Sequence, residues 1–156
     1  MSEQGSNEQT GVQVTLQKIY VKDLSFESPN APQVFGEDLK PTSQLNLRSG
    51  HRELENEIYE VVLTVTVEAK ADERTVFLIE IAQAGLFRLA GVSDENRAIL
   101  LGSFCPGVLY PYVREAVANV VQRGGFPEFL LQPIDFDGLY AQSRQEGGAP
   151  PAEQQN

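Results

Sequence analysis

The chain has 156 residues, a formal net charge of −10 at neutral pH, one cysteine and no tryptophan. A chain of this length is long enough for one domain with a packed core. The excess of carboxylates makes nucleic acid a poor partner and a basic protein surface a better one. A single cysteine excludes an intrachain disulfide framework, which is typical of proteins from a reducing compartment.

Both ends of the chain are expected to be disordered, since residues 1–10 and 144–156 are polar and contain little that a core would bury. The N-terminal residues have no basic flank and no apolar run, so they do not resemble a signal peptide. No window approaches the roughly 18 apolar residues that a membrane span needs. The expectation is a cytoplasmic protein with no stable membrane insertion and a single domain over residues 11–143.

Residues 12–26 are predicted to form the first strand, but the alternation of apolar side chains changes parity twice. The apolar positions are even-numbered, then odd-numbered, then even-numbered again: Val12, Val14, Leu16, Ile19, Val21, Leu24 and Phe26. Because a shift of one residue moves every side chain to the other face of a sheet, we expect bulges near Lys18 and Lys22. Beyond the second bulge, Asp23 and Glu27 then face away from the core.

Three further strands follow a long connection, residues 28–42, in which three prolines and Gly36 exclude regular structure. A short alternating run around Leu45 and Leu47 forms the second strand. Residues 58–70 and 75–85 form the third and fourth, joined by a tight turn into an antiparallel hairpin. In the last strand Phe77, Ile79 and Ile81 are expected to face inward, and Leu78 and Glu80 outward.

Helices are predicted after Gly91. Asp94 is the expected N-cap of a helix over residues 95–104, with Ser93 as the competing choice. Pro111 suits the first turn of a second helix and Gly124 its end. That helix carries one apolar stripe, formed by Val113, Ala116, Val117, Val120 and Val121. Strands followed by helices, with a short weak helix last, predict an α+β fold: a four-stranded antiparallel sheet with helices packed on one face.

The sequence offers little catalytic chemistry. The only histidine, His51, is expected in a solvated polar loop, and Cys105 is expected to be a buried packing residue. There is no glycine-rich phosphate loop, so direct use of ATP is not expected. We therefore predict no enzyme activity, no cofactor and no bound metal. The acidic residues on the outer side of the strands are either solubilising charges or, together with Leu78, part of a docking patch.

Four long stretches give the chain a resemblance to a known family. They are "KDLSFESPNAPQVF", "YEVVLTVTV" with "FLIEIAQAGLF", "CPGVLYPYVREAV" and "GGFPEFLLQPIDFDGLY". In this order, over roughly residues 12–140, they resemble SecB, the bacterial protein-export chaperone. The resemblance implies a homotetramer, assembled as a dimer of dimers with the helices sandwiched between the sheets. The stripe that begins at Val113 is then the expected oligomer interface.

The resemblance also implies a function that needs no active site. SecB-like proteins hold precursor proteins unfolded and pass them to SecA, the motor ATPase of the export channel. The family's docking residues correspond to Asp23, Glu27, Leu78 and Glu80. Their partner is a basic, zinc-carrying tail of SecA, so the zinc belongs to the partner.

Clients of the family bind in apolar grooves between the long connection, the second strand and the helices. The corresponding candidates in this chain are Leu39, Leu45, Leu47, Phe77, Phe104 and Tyr110. Leu39 departs from the family, where the resemblance implies tryptophan, and the smaller side chain favours smaller client residues.

Two alternatives stay open at this stage. A SecB-like chaperone devoted to a toxin–antitoxin pair would use the same fold and grooves but would not need the acidic docking residues. A small α+β enzyme or ligand-binding protein would need convergent polar residues around a closed pocket.

Overall fold

The computed structural model describes residues 11–145, which form four strands followed by three α-helices. The strands are β1 (Gln13–Glu27), β2 (Thr42–Glu53), β3 (Ile58–Ala71) and β4 (Arg74–Ala90), and the helices are α1 (Asp94–Ile99), α2 (Cys105–Arg123) and α3 (Phe136–Gln145). The α+β class predicted from the sequence is confirmed. The segments predicted to be disordered lie outside the described residues, except that residues 144–145 belong to α3.

The strands form one antiparallel sheet in the order β1-β4-β3-β2, so β1 and β2 are its edges. The register of β1 against β4 shifts between Leu16 and Lys18, and again between Val21 and Asp23. At each shift one residue of β1 is inserted into the ladder, so the bulges predicted near Lys18 and Lys22 are confirmed. The parity of β1 therefore changes twice along its length, as the sequence indicates.

The inner face of the sheet, defined here as the face that α2 covers, carries the core. Its central side chains are fully buried and come from β3 and β4: Val61, Leu63, Val65, Val67, Ile79 and Ile81.

Gly85 in β4 lies at a close contact between the sheet and α2. A Cβ atom there would lie 3.1 Å from Cδ2 of Leu109 and 2.8 Å from the ring of Phe87. The missing side chain allows α2 to approach the sheet.

One continuous helical stretch runs from Asp94 to Arg123, because a π-helical segment, Leu100–Phe104, joins α1 to α2. The prediction that a helix begins at Pro111 is wrong, since Pro111 lies inside α2. Leu109 and Tyr110, directly before it, are buried, and this packing outweighs the backbone hydrogen bond that proline cannot make. The helix ends at Gly124, as predicted.

The cap of α1 is Ser93, which was the competing choice. Its Oγ accepts a hydrogen bond from the backbone N–H of Asn96 at 3.2 Å. Asp94 is the first helical residue instead, and its carboxylate pairs with Arg97 at 2.7 Å. A carboxylate in the first turn still stabilises the helix through its dipole.

Strand β2 is longer than the short run that the sequence predicts. It continues past Leu47 to Glu53, and His51 pairs in register with Val61 of β3. The prediction that His51 lies in a loop is therefore wrong, although its side chain is exposed as expected. The polar residues around His51 form a strand because β3 offers them a free backbone edge to pair with, which composition alone does not reveal.

The long connection after β1 is fastened to the start of β4. Ser28 Oγ donates to the carbonyl of Val76 at 3.1 Å, and Asn30 Nδ2 donates to the carbonyl of Thr75 at 2.8 Å. Residues 28–41 contain no strand or α-helix, only a short 3-10 helix, Gln33–Gly36. The connection therefore lies along one end of the sheet, beside the β3–β4 hairpin.

The turn of that hairpin is strained. Its two central residues, Asp72 and Glu73, both have positive φ, 53° and 64°. Such angles are those of a type I′ turn, which favours Asn-Gly because other residues lose about 1 kcal/mol or more in the left-handed region.

We expect Asp72→Asn combined with Glu73→Gly to raise the free energy of unfolding by about 1 kcal/mol. Equilibrium denaturation in urea measures it. Asp72→Asn combined with Glu73→Ala removes the same two charges but keeps a Cβ at the positive φ of residue 73, so it serves as the matched control and should give little gain. Equal stabilisation by the control would mean that charge, rather than backbone strain, limits stability at this turn.

Candidate functional site

The four predicted docking residues lie together on the outer face of the sheet, opposite α2. In β1, Glu27 is paired with Leu78 of β4. Two positions further along, Ser25 is paired with Glu80, and Asp23 follows opposite Ala82. Paired residues of antiparallel strands project to the same side, so the four side chains occupy three consecutive rows. We call the four residues the docking face.

The docking face combines charge with one apolar side chain. Asp23 and Glu27 are exposed, and Leu78 is half-buried between Glu27 on one side and Glu68 of β3 on the other. The carboxylate of Glu80 accepts a hydrogen bond from Thr66 Oγ1 at 3.0 Å, which fixes its orientation. An apolar anchor ringed by acids matches a basic segment that carries an apolar residue.

Glu60 lies on the same face but differs from the docking acids. It is 6% exposed and accepts three hydrogen bonds, from Tyr20 Oη, from Lys22 Nζ at 2.8 Å and from Arg52 Nε at 3.1 Å. The hydrogen bonds from Lys22 and Tyr20 hold the pKa of Glu60 below its ordinary value in spite of burial. Burial and the same carboxylate raise the pKa of Tyr20 to about 12. Glu60 is therefore an ionised carboxylate with a structural role, and its charge is balanced by Lys22 and Arg52.

The residues predicted to line a client groove fall into two groups. Leu45, Leu47 and Phe77 are buried in the core, and Tyr110 is buried with its hydroxyl donating to the carbonyl of Gln132. Leu39 is half-buried and packs against the core. Phe104, in the π-helical segment, is 48% exposed. In the isolated chain, Phe104 and Leu39 are thus the members with substantial accessible surface.

An aromatic cluster surrounds Phe77 at the end of the inner face. Its members are Phe26, Phe35, Phe77, Phe126 and Phe129, with ring centroids 5.2 to 6.2 Å apart. Phe35 forms the outer layer and is 51% exposed. Exposed aromatic surface beside a loop is typical of a binding site for apolar segments.

Sequence reasoning missed Phe35 and the segment from Phe126 to Leu130. They lie in the long connection and in the loop after α2, where no periodicity marks a residue as buried or exposed. The density of aromatic residues in "GGFPEF" was the available signal.

Most of the apolar stripe of α2 is buried against the sheet of the same chain. Val113, Val117 and Val121 have no exposed surface, because α2 packs with these residues on β3 and β4. Ala116 and Val120 are half-buried.

An exposed apolar surface also lies on the edge strand β1. Its residues point to the inner side of the sheet but are not covered there: Val14, Leu16, Val21 and Leu24.

The described residues offer no arrangement for catalysis. Cys105 is fully buried, and burial raises the pKa of its thiol to about 12, so it packs rather than reacts. Within residues 11–145, no group of three or more His, Cys, Asp and Glu side chains is placed to hold a metal ion. None of the helices in this range is long and apolar enough to cross a bilayer.

A half-covered antiparallel sheet with acids on one face and exposed aromatic rings at the end of the other presents surfaces suited to binding other polypeptides. The family model described as preprotein translocase subunit SecB matches residues 7–147. The chain belongs to the SecB family of non-enzymatic protein-export chaperones, which confirms the resemblance and the absence of enzyme activity.

The chain is similar to individual members of the family over most of its length. It is 49% identical to protein-export protein SecB of Stenotrophomonas maltophilia over 146 residues, which are 92% of this chain and 85% of the relative. It is 46% identical to protein-export protein SecB of Nitrosococcus oceani over 153 residues, which are 94% of this chain and 93% of the relative.

Among solved structures, the SecB-like chaperone of Mycobacterium tuberculosis, in complex with a ChAD peptide from an antitoxin, superposes with a TM-score of 0.66 at 17% identity. The match covers 78% of this chain and 90% of that chain, and it supports the fold.

We expect Glu60→Gln to lower the free energy of unfolding by about 1–3 kcal/mol at neutral pH, since Lys22 and Arg52 lose a charged partner. A carboxyl whose pKa is lowered on folding stabilises above its ordinary pKa and loses that contribution as the pH falls. The parent should therefore lose more stability than the variant between about pH 6 and about pH 3. Urea titrations at several pH values measure this, and parallel curves for the two proteins would contradict it.

Proposed function

We propose that the chain holds precursor proteins in an unfolded form and delivers them to SecA. The observation that carries this proposal is the docking face, where residues distant in sequence meet in consecutive rows of two neighbouring strands. Binding of the unfolded state draws a client away from its native fold, and this needs neither ATP nor a cofactor. Fast-folding proteins bury their apolar segments before capture, whereas slowly folding precursors stay available.

The partner of the docking face is, in this proposal, the basic zinc-carrying tail of SecA. Attraction between its cations and Asp23, Glu27 and Glu80 accelerates encounter and makes binding sensitive to salt. Leu78 supplies the apolar contact that exposed charges cannot. The zinc ion stays with the tail, since the exposed acids act here as charges and hydrogen-bond acceptors.

Clients bind, in this proposal, on the inner side of the sheet. The exposed rings of Phe35 and Phe104 are the points of first contact, and the aromatic cluster lies beneath Phe35. Leu45, Leu47 and Phe77 form the buried floor, in which Phe77 lies against the ring of Phe126. Apolar contacts without directional hydrogen bonds suit many client sequences.

The assembly is proposed to be a homotetramer, a dimer of dimers. The exposed apolar side chains on the β1 edge, together with the free backbone groups of an edge strand, favour pairing with a second copy. Ala116 and Val120 are the stripe residues with surface left for contacts between helices. Several grooves acting on one long client would raise the overall affinity through avidity.

The proposed location is the cytoplasm, where precursors are present before export and where a single reduced thiol such as Cys105 is common.

The alternative function, a chaperone devoted to a toxin–antitoxin pair, is not favoured. The relatives at 46–49% identity are protein-export proteins, whereas the antitoxin-bound chaperone is 17% identical.

We expect Asp23→Ala combined with Glu80→Ala to weaken binding of a synthetic, zinc-loaded SecA tail peptide. The loss should be about three- to thirtyfold at low salt, because each exposed ion pair contributes up to about 1 kcal/mol. Isothermal titration calorimetry at two salt concentrations measures it. Glu55→Ala with Glu128→Ala removes the same charge elsewhere, and affinities equal to that control would contradict the assignment.

We expect Phe35→Ser and Phe104→Ser each to weaken capture of a reduced, unfolded client by about three- to tenfold, from the loss of half-exposed aromatic surface. Fluorescence anisotropy with a labelled client measures the affinity, and native mass spectrometry checks that the assembly is unchanged. Leu54→Ser, an exposed apolar change at the far end of the sheet, is the matched control.

A further inference from the structure

Two of the few buried polar side chains in the described part of the chain contact the same short stretch of β1. Gln83 of β4 is 3% exposed among the mainly apolar residues of the inner face, and its Nε2 donates to the carbonyl of Tyr20 at 3.1 Å. Glu60 of β3 lies on the outer face and binds the hydroxyl of Tyr20 and the ammonium of Lys22. The stretch from Tyr20 to Lys22 is therefore held from both sides of the sheet.

That stretch contains the second bulge of β1. Val21 pairs with Gln83 and Asp23 pairs with Ala82, so Lys22 is the residue inserted into the ladder. Inserting a residue disrupts ladder hydrogen bonds locally, and buried polar groups are found with partners. Gln83 donates from the inner face to the carbonyl of Tyr20, two residues before the insertion, and Glu60 binds the ammonium of the inserted Lys22 from the outer face.

The bulge decides which way the docking face points. Between the two bulges the odd-numbered residues of β1 face inward, and after the second bulge the even-numbered residues do. Without the insertion, Asp23 and Glu27 would turn to the inner face and Leu24 and Phe26 to the outer one. The docking face exists because the bulge is kept at Lys22.

We infer that Gln83 and Glu60 form a clamp that fixes the bulge at Lys22 and thereby positions Asp23 and Glu27 for docking. Gln83 is a positioning residue that no docking partner touches, since it lies on the opposite face of the sheet. Glu60 acts in the same way through Tyr20 and Lys22. The inference deepens the proposed function and rests on it for its binding readout.

The clamp also involves β2, because Arg52 of that strand donates a hydrogen bond to Glu60. Arg52 is the third donor to Glu60 and pairs with it in register. The carboxylate therefore links the bulge to β2 across the width of the sheet. A slip of β1 by one residue would move Tyr20 and Lys22 away from Glu60, while Arg52 would remain.

The test uses the full chain and the zinc-loaded SecA tail peptide. Gln83→Met keeps the size of the side chain and removes the hydrogen-bond donor. We expect this variant to bind the tail peptide about five- to tenfold more weakly, because the loss of one hydrogen bond corresponds to a factor of that size. Leu131→Ala is the control, because it destabilises the core from the loop after α2, outside β1 and β4, and should leave tail affinity unchanged. Native mass spectrometry restricts the comparison to samples in the same assembly state.

A double-mutant cycle separates positioning from general destabilisation. If Gln83 acts through the docking face, Asp23→Ala costs less affinity in the Gln83→Met background than in the parent. Additive losses, or an unchanged tail affinity in Gln83→Met, would overturn the inference.

Hydrogen exchange gives a second readout that does not depend on SecA. In Gln83→Met and in Glu60→Gln, the amides of residues 20–27 should exchange faster, while those of β2 keep their protection. Unchanged protection in both variants would exclude the clamp. If the parent does not bind the tail at all, the proposed docking partner fails, and hydrogen exchange alone decides whether the clamp holds the bulge.

Discussion

The strict alternation of side chains along β1 is the constraint on which the rest of the arrangement depends. A strand can present only every second residue to one face, and β1 must supply both the edge of a core and an acidic surface. It achieves this with two inserted residues, at the shifts between Leu16 and Lys18 and between Val21 and Asp23. Each insertion exchanges the faces, so the apolar residues stay on the side of α2 along the whole strand.

The two faces of the sheet are specialised in different ways. On the inner face, burial of aliphatic residues from β3 and β4 under α2 supplies stability, and Gly85 allows the helix to come close. On the outer face, stability comes from polar contacts such as those around Glu60, and neighbouring acids remain exposed. The division explains how a chain with a net charge of −10 keeps a continuous core while displaying carboxylates on the same strands.

Much of this was accessible from the sequence, because alternation and parity are direct consequences of backbone geometry. The bulges of β1, the β3–β4 hairpin and the outward direction of Leu78 and Glu80 followed from pattern alone. The continuity of the helix through Pro111 did not, since it depends on packing of residues around Leu109. The extension of β2 through His51 depends on a pairing edge, and the cluster around Phe35 on the meeting of two loops, neither of which leaves a periodic signal.

Phe77 and Leu78 are consecutive residues of β4, and they point in opposite directions. Phe77 lies at the centre of the aromatic cluster, and Leu78 lies in the docking face on the other side of a single peptide layer. If the proposed client and the proposed SecA tail bind at these two surfaces, the sheet separates their binding sites. A client could then stay bound while SecA docks, and its transfer would not require prior release into free solution.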